Sequence, residues 1–153
     1  MAQEDDGAVR PPARLRALVA WQVTRVATLA ARLTTQRMPS GGRADYAVLA
    51  ALEEYGPLSQ ADIGRRLGLD RNDVNAIMSR LEGARFVTRR ADPTNRSRNV
   101  VRRTAAGLRH LRQLQDHADA VQRELLTGLS ADECQALQAL LAKVLDSHGP
   151  QSA

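Results

Sequence analysis

Ser59-Gln60-Ala61-Asp62-Ile63-Gly64-Arg65-Arg66-Leu67-Gly68-Leu69-Asp70-Arg71-Asn72-Asp73-Val74-Asn75-Ala76-Ile77-Met78-Ser79-Arg80-Leu81 is the stretch on which the fold turns. Ser59 with Asp62 three residues on starts a helix, Ile63 and Leu67 recur four apart, and Gly68 ends it. Asp70 caps a second helix. In that helix Val74, Ile77, Met78 and Leu81 fall at i, i+3, i+4 and i+7, a single apolar stripe that must face an interior. The opposite face keeps Arg71, Asn72, Asn75, Ala76, Ser79 and Arg80. Those types suit a DNA major groove: asparagine can bind adenine through two hydrogen bonds, arginine can bind guanine or phosphate, and alanine leaves room for a thymine methyl. An ordinary amphipathic surface helix has the same period, so the next segment decides.

After Gly83 the period changes from helical to alternating, with Phe86, Thr88 and Arg90 on one side and Val87 and Arg89 on the other. Asp92-Pro93-Thr94-Asn95 has turn chemistry, Arg96-Ser97-Arg98 forms a tip, and Asn99-Val100-Val101-Arg102-Arg103 returns as a strand. Residues 85 to 103 hold seven arginines and one aspartate. So one-sided a hairpin suits phosphate or a narrow minor groove, entered by Arg96 or Arg98. Part of the excess is background, since 21 of the 22 basic residues of the chain are arginine. Two helices and then a basic wing are what a protein needs to fill one groove and clamp its neighbour. Ser59, Gln60 and Arg89 complete the candidate DNA-contacting set, with Arg80, late in the helix, expected on phosphate.

The flanking segments are built for association. Leu15, Leu18, Val19, Val26, Leu29 and Leu33 stripe a helix from about Arg14 to Gln36, and Pro39-Ser40-Gly41-Gly42 breaks it from the next. A second long pattern runs from Thr104 through Leu108, Leu111, Leu114, Ala118, Val121 and Leu125. Ser130 with Glu133 caps a last helix carrying Leu137, Leu140, Leu141, Val144 and Leu145. This is more apolar surface than one small unit easily covers, which favours a homodimer over packing within one chain. Charge divides the same way. Residues 59 to 112 hold 13 basic and 5 acidic side chains, and residues 113 to 153 hold 2 and 6, so the middle suits a polyanion.

The expected class is mainly α with a small β-wing: a winged helix-turn-helix lobe at 43–103 flanked by dimerisation helices at 14–38 and 104–148. Residues 14–148 are expected to form a single domain, with a flexible tail at 1–13 and another at 149–153, in a chain of 153 residues. No apolar run reaches the eighteen or so residues of a membrane span, and the start is acidic rather than signal-like, so the expected location is the cytoplasm with no membrane partner. Cys134 is the one cysteine, which excludes an internal disulfide. His110 and His117 are seven apart, too far for the i, i+4 metal grip, and His148 lies near the end. Without a Walker loop, a nucleophile elbow or a carboxylate-histidine cluster, no enzyme, cofactor or metal is expected.

In order and spacing these pieces resemble the MarR family of winged helix-turn-helix transcription regulators. The resemblance runs through Tyr46-Ala47-Val48-Leu49-Ala50-Ala51-Leu52, Gly56-Pro57-Leu58-Ser59-Gln60-Ala61-Asp62-Ile63, Arg80-Leu81-Glu82, Val87-Thr88-Arg89-Arg90, the Asp92 to Arg98 wing and Thr104-Ala105-Ala106-Gly107. It implies a two-fold symmetric dimer on a pseudo-palindromic operator, often released by a small ligand or oxidant. Four positions depart from the family pattern. Asn75-Ala76 stands where many members have Thr-Arg, Asn95-Arg96-Ser97 where the wing has Asp-Arg-Arg, Arg85 where a glycine is common, and Arg103 where an aliphatic residue is usual. The effector that the resemblance implies would find Trp21 and Arg25, four apart on the first helix, where a ring can stack and a guanidinium can pair with a small aromatic acid. Trp21 as interface core is the alternative. Two rival functions stay open: a non-specific DNA-coating winged-helix protein and a winged-helix protein-interaction module.

Overall fold

Most helices of this chain begin where a short polar side chain can hold a backbone N–H that the helix itself leaves unpaired. The computed structural model describes residues 10–95 and 99–149. Among them are α1 (Ala13–Arg16), α2 (Val19–Arg37), α3 (Gly42–Tyr55), α4 (Gln60–Leu67), α5 (Arg71–Gly83), β1 (Val87–Ala91), β2 (Asn99–Arg103), α6 (Ala105–Leu125) and α7 (Ala131–Ser147). Side chains of Ser59, Asp70, Thr104 and Ser130 accept from the N–H groups of Asp62 (3.1 Å), Asp73 (2.8 Å), Gly107 (3.0 Å) and Glu133 (3.3 Å). Each such cap contributes about 1 kcal/mol. At Ser130 the box closes, because the Glu133 carboxylate accepts the Ser130 N–H at 2.8 Å. The Ser130 N–H, with help from its hydroxyl, holds the Glu133 carboxyl below its usual pKa.

The single helix expected from about Arg14 to Gln36 is two. Leu18 takes an extended conformation between α1 and α2, and the Gln22 side-chain amide donates to the Arg16 carbonyl at 2.8 Å. A side chain six residues on thus satisfies a carbonyl that a continuous helix would have used. The break after α2 falls where expected, with Gly41 left-handed at φ 77.

The core belongs to the lobe. Leu49 of α3, Ile63 of α4, Met78 and Leu81 of α5 and Val101 of β2 meet in one buried cluster, each such side chain contributing about 1.5–3 kcal/mol. The stripe expected on α5 is wholly inside it: Val74, Ile77, Met78 and Leu81 are all buried. The strands pair antiparallel with Val87 opposite Arg103 and Ala91 opposite Asn99. Leu58 joins their edge by exchanging backbone hydrogen bonds with Val101, at 3.2 and 2.7 Å. Phe86, expected as the first strand residue, precedes the strand, and only Val87 of β1 is buried, so the expected two-sided alternation reduces to one inward residue. The turn forms as expected: Asp92 Oδ1 accepts from the Thr94 N–H at 2.9 Å and from its hydroxyl at 2.7 Å. Arg96, Ser97 and Arg98, the expected tip, lie outside the described residues.

Two junctions fix the lobe against its neighbours. At the end of α5, the Phe86 N–H reaches the Leu81 carbonyl and the Arg85 N–H reaches that of Glu82, both at 2.9 Å. Arg85 holds the left-handed position between them at φ 60, where glycine would be free of strain. At the start of α6, the Thr104 N–H and hydroxyl donate to the Phe86 and Arg85 carbonyls at 3.0 and 2.8 Å. Gly107 then passes so close that a Cβ would sit 2.1 Å from the Phe86 oxygen. The Thr-Ala-Ala-Gly run is therefore a fitted contact between α6 and the lobe.

Candidate nucleic-acid interface

With the apolar stripe of α5 inside, its other face is turned out as a consequence of helical period. Arg71, Asn72, Asn75, Ala76 and Ser79 are exposed along it. Gln60, the first residue of α4, is brought to the same surface: its Nε2 donates to Asn75 Oδ1 at 3.0 Å. Ser59 is placed behind this face. It is buried, with its hydroxyl 2.6 Å from Asp62 Oδ2 and its oxygen capping α4.

Two arginines of the expected set are held by partners within the chain. Arg80, expected on phosphate, sends Nε and Nη2 to Asp45 Oδ1 at 3.0 and 2.5 Å. The Asp45 side chain is only 8% exposed and that of Arg80 42%. Gly41 leaves space for this guanidinium, since a Cβ there would lie 2.8 Å from Arg80 Cζ. The second Asp45 oxygen is 3.8 Å from His110 Nε2 of α6, and the His110 ring stacks on Phe86 with centroids 4.1 Å apart. Arg80 thus ties α5 to α3, at a carboxylate that α6 also approaches. Arg89 is held by Glu82 at 3.1 and 2.6 Å, which braces β1 against α5.

Sequence reasoning missed Asp45, although a signal was present. Asp45 stands three and four residues before Val48 and Leu49, so helical period puts its charge on the apolar face of α3, where a carboxylate needs a cation. It also left out Arg85, Arg90 and Arg102, which are exposed and make no ion pair among the described residues. The strand register would have found two of them, for it sets Thr88 opposite Arg102 and Arg90 opposite Val100. Arg103, where an aliphatic residue was expected, lies mostly buried at 3.6 Å from Glu53, with its Nε unpaired. Arg96 and Arg98 lie outside the described residues.

Trp21 and Arg25 lie one helical turn apart on α2. Arg25 edges a groove of about 410 Å³ along α2 with Val26, Leu29 and Arg32, whereas Trp21 is half-buried elsewhere on that helix. A larger cavity of about 720 Å³ opens where the end of α2 meets the lobe, between Thr34, Met38, Gly41, Ala47, Leu67 and Leu69. Among the described residues no group of His, Cys, Asp or Glu side chains is placed to hold a metal, and no helix is long and apolar enough to cross a membrane.

Known proteins share both the pattern and the shape. Residues 42–96 match the MarR family profile. The HTH-type transcriptional repressor NicR of Pseudomonas putida is 29% identical over 102 residues, covering 67% of this chain and 65% of NicR. The chain therefore spans less than two thirds of that relative. A probable transcriptional regulator from Pseudomonas aeruginosa superposes with a TM-score of 0.74 at 27% identity, covering 86% of this chain and all of that one. The PcaV transcriptional regulator from Streptomyces coelicolor, solved with its natural ligand, gives 0.70 at 27% identity, covering 91% of this chain and 99% of PcaV. With the helix-turn-helix, the wing and the Thr-Ala-Ala-Gly junction already in place, these likenesses show a MarR family match over residues 42–96 and a chain similar in fold to MarR winged helix-turn-helix proteins.

Proposed function

We propose that the chain is a sequence-specific regulator of transcription that binds double-stranded DNA as a homodimer and acts as a repressor. The observation that carries this reading is the division of α5: every residue of its apolar stripe is buried, and Arg71, Asn72, Asn75, Ala76 and Ser79 stand out together beside an arginine-bearing wing. A helix so seated can enter a major groove while the wing lies along the backbone. Arg71, Arg90 and Arg102, free of ion partners among the described residues, serve phosphate, and Asn72, Asn75 and Ala76 serve base edges. NicR, named a repressor, supports the direction of control. The role is binding rather than catalysis.

The dimer rests on α2 and α7, whose exposed leucines and valines have no cover in one copy. A small ligand fits the reading too, since PcaV has a natural ligand. The 720 Å³ cavity touches Gly41, over which the Arg80 guanidinium lies, so an occupant there that favours one seat of α5 would shift DNA affinity by its differential binding. An aromatic acid could instead use Arg25 and Arg32 in the smaller groove. Selection of duplexes from a random pool tests the whole reading. A recovered inverted repeat bound in preference to random duplex supports it; equal binding of both indicates a coating protein, and no salt-sensitive binding indicates a protein-interaction module.

A further inference from the structure

An asparagine amide is two-faced: its oxygen accepts and its nitrogen donates, and an exposed one can present either. Which edge it presents decides what it reads, because adenine and cytosine show amino donors in the major groove whereas guanine shows two acceptors, N7 and O6. Asn75 stands in the middle of the outward face of α5. In the structure its amide is oriented by a neighbour. Gln60, fifteen residues earlier and on a different helix, donates Nε2 to Asn75 Oδ1 at 3.0 Å. That bond turns the oxygen toward α4, and Asn75 Nδ2 makes no hydrogen bond among the described residues.

We infer that Gln60 is a positioning residue that fixes Asn75 as a hydrogen-bond donor, so that Asn75 selects the base edge with two acceptors, guanine, over thymine with its single O4 acceptor beside a methyl, and in place of the adenine that a freely turning asparagine would take. The inference rests on the DNA-binding reading above and goes beyond it, since it assigns the sign of the contact. The Ser59 cap pins the first turn of α4, which fixes the backbone from which the Gln60 side chain reaches Asn75. The Nδ2 hydrogens can then bridge N7 and O6 of one guanine.

The test uses the full chain on the duplex selected from a random pool and on its single-base-pair variants. Asn75→Ala identifies the position read by Asn75 as the one where preference relaxes, and that position is expected to be a G·C pair. Gln60→Ala should relax the same position by about threefold to tenfold, the worth of one oriented hydrogen bond. It should do nothing further in the Asn75→Ala background, because Gln60 acts through Asn75. Gln60→Glu is the sharper variant. A carboxylate can only accept, so it takes Asn75 Nδ2, turns the amide over, and moves the preference toward adenine or cytosine, even as overall affinity falls by repulsion from phosphate. A mere surface contact of Gln60 would not change which base is preferred. An A·T pair at the Asn75 position, unchanged preference in Gln60→Ala and Gln60→Glu, or losses that simply add to those of Asn75→Ala would each overturn the inference while specific binding stands. Absence of any preference in the unsubstituted chain would instead remove the DNA-binding reading on which it rests.

Discussion

Leu49, Ile63, Met78 and Leu81 of the lobe are fully buried, whereas Leu140, Leu141, Val144 and Leu145 of α7 are exposed, Leu145 by 71%. Both groups sit on amphipathic helices. The lobe closes on itself because three helices and a two-stranded wing converge, and each apolar stripe finds another. α2 buries only Leu33 and α7 buries no residue. A stripe that finds no partner within the chain is an unfinished core, and the economical way to finish it is a second copy. The lobe is thus where stability within one chain resides, and in the proposed dimer the exposed faces of α2 and α7 are where assembly would reside.

This division predicts where damage falls. The largest effect within a protomer is expected at the junction of the two regions: Gly107→Ala places a methyl against the Phe86 carbonyl and should cost at least about 3 kcal/mol, read as a drop in denaturant midpoint. A mild effect there would mean that α6 does not seat on the lobe. Next comes Leu145→Ser on α7. It should weaken dimerisation by about 2 kcal/mol while shifting protomer stability by less than about 0.5 kcal/mol, as seen in sedimentation and in unfolding at low concentration. Equal losses in both would erase the distinction between core and assembly surface.

Arg80→Ala should cost about 2 kcal/mol of stability, because it strands the Asp45 carboxylate; the figure is below that of a fully buried pair since water reaches the Arg80 side. Pairing Arg80→Ala with Asp45→Asn should recover much of the loss, and a failure to recover would show that Arg80 works elsewhere. The smallest change is a gain. Arg85→Gly removes left-handed strain at the end of α5 and should stabilise by about 1 kcal/mol, measured as a rise in Tm.

Much of this was legible because it is local. Ser59, Asp70, Thr104 and Ser130 announce helix starts by the spacing of a cap and the N–H it holds, and the α5 stripe is a matter of period alone. What the sequence withheld depends on partners distant along the chain. Asp45 and Arg80 are 35 residues apart, Gln60 and Asn75 lie on different helices, and the break at Leu18 depends on a glutamine from the next helix. Arg85 keeps the bend of a glycine although its side chain argues against it, since the bonds at Leu81 and Glu82 dictate the conformation. The cavity was out of reach for the same reason: its walls come from α2, α3 and the turn after α4.

The most direct measurement is a salt titration of the full chain on its selected duplex and on a scrambled one. If each protomer of a dimer neutralises four or five phosphates through α5 and the wing, log K should fall against log salt with a slope of about −7 to −9 on the selected duplex. That duplex should also stay about a thousandfold or more tighter than the scrambled one at physiological salt. A near-flat slope, or equal affinity for the two duplexes, would contradict sequence-specific recognition by this face.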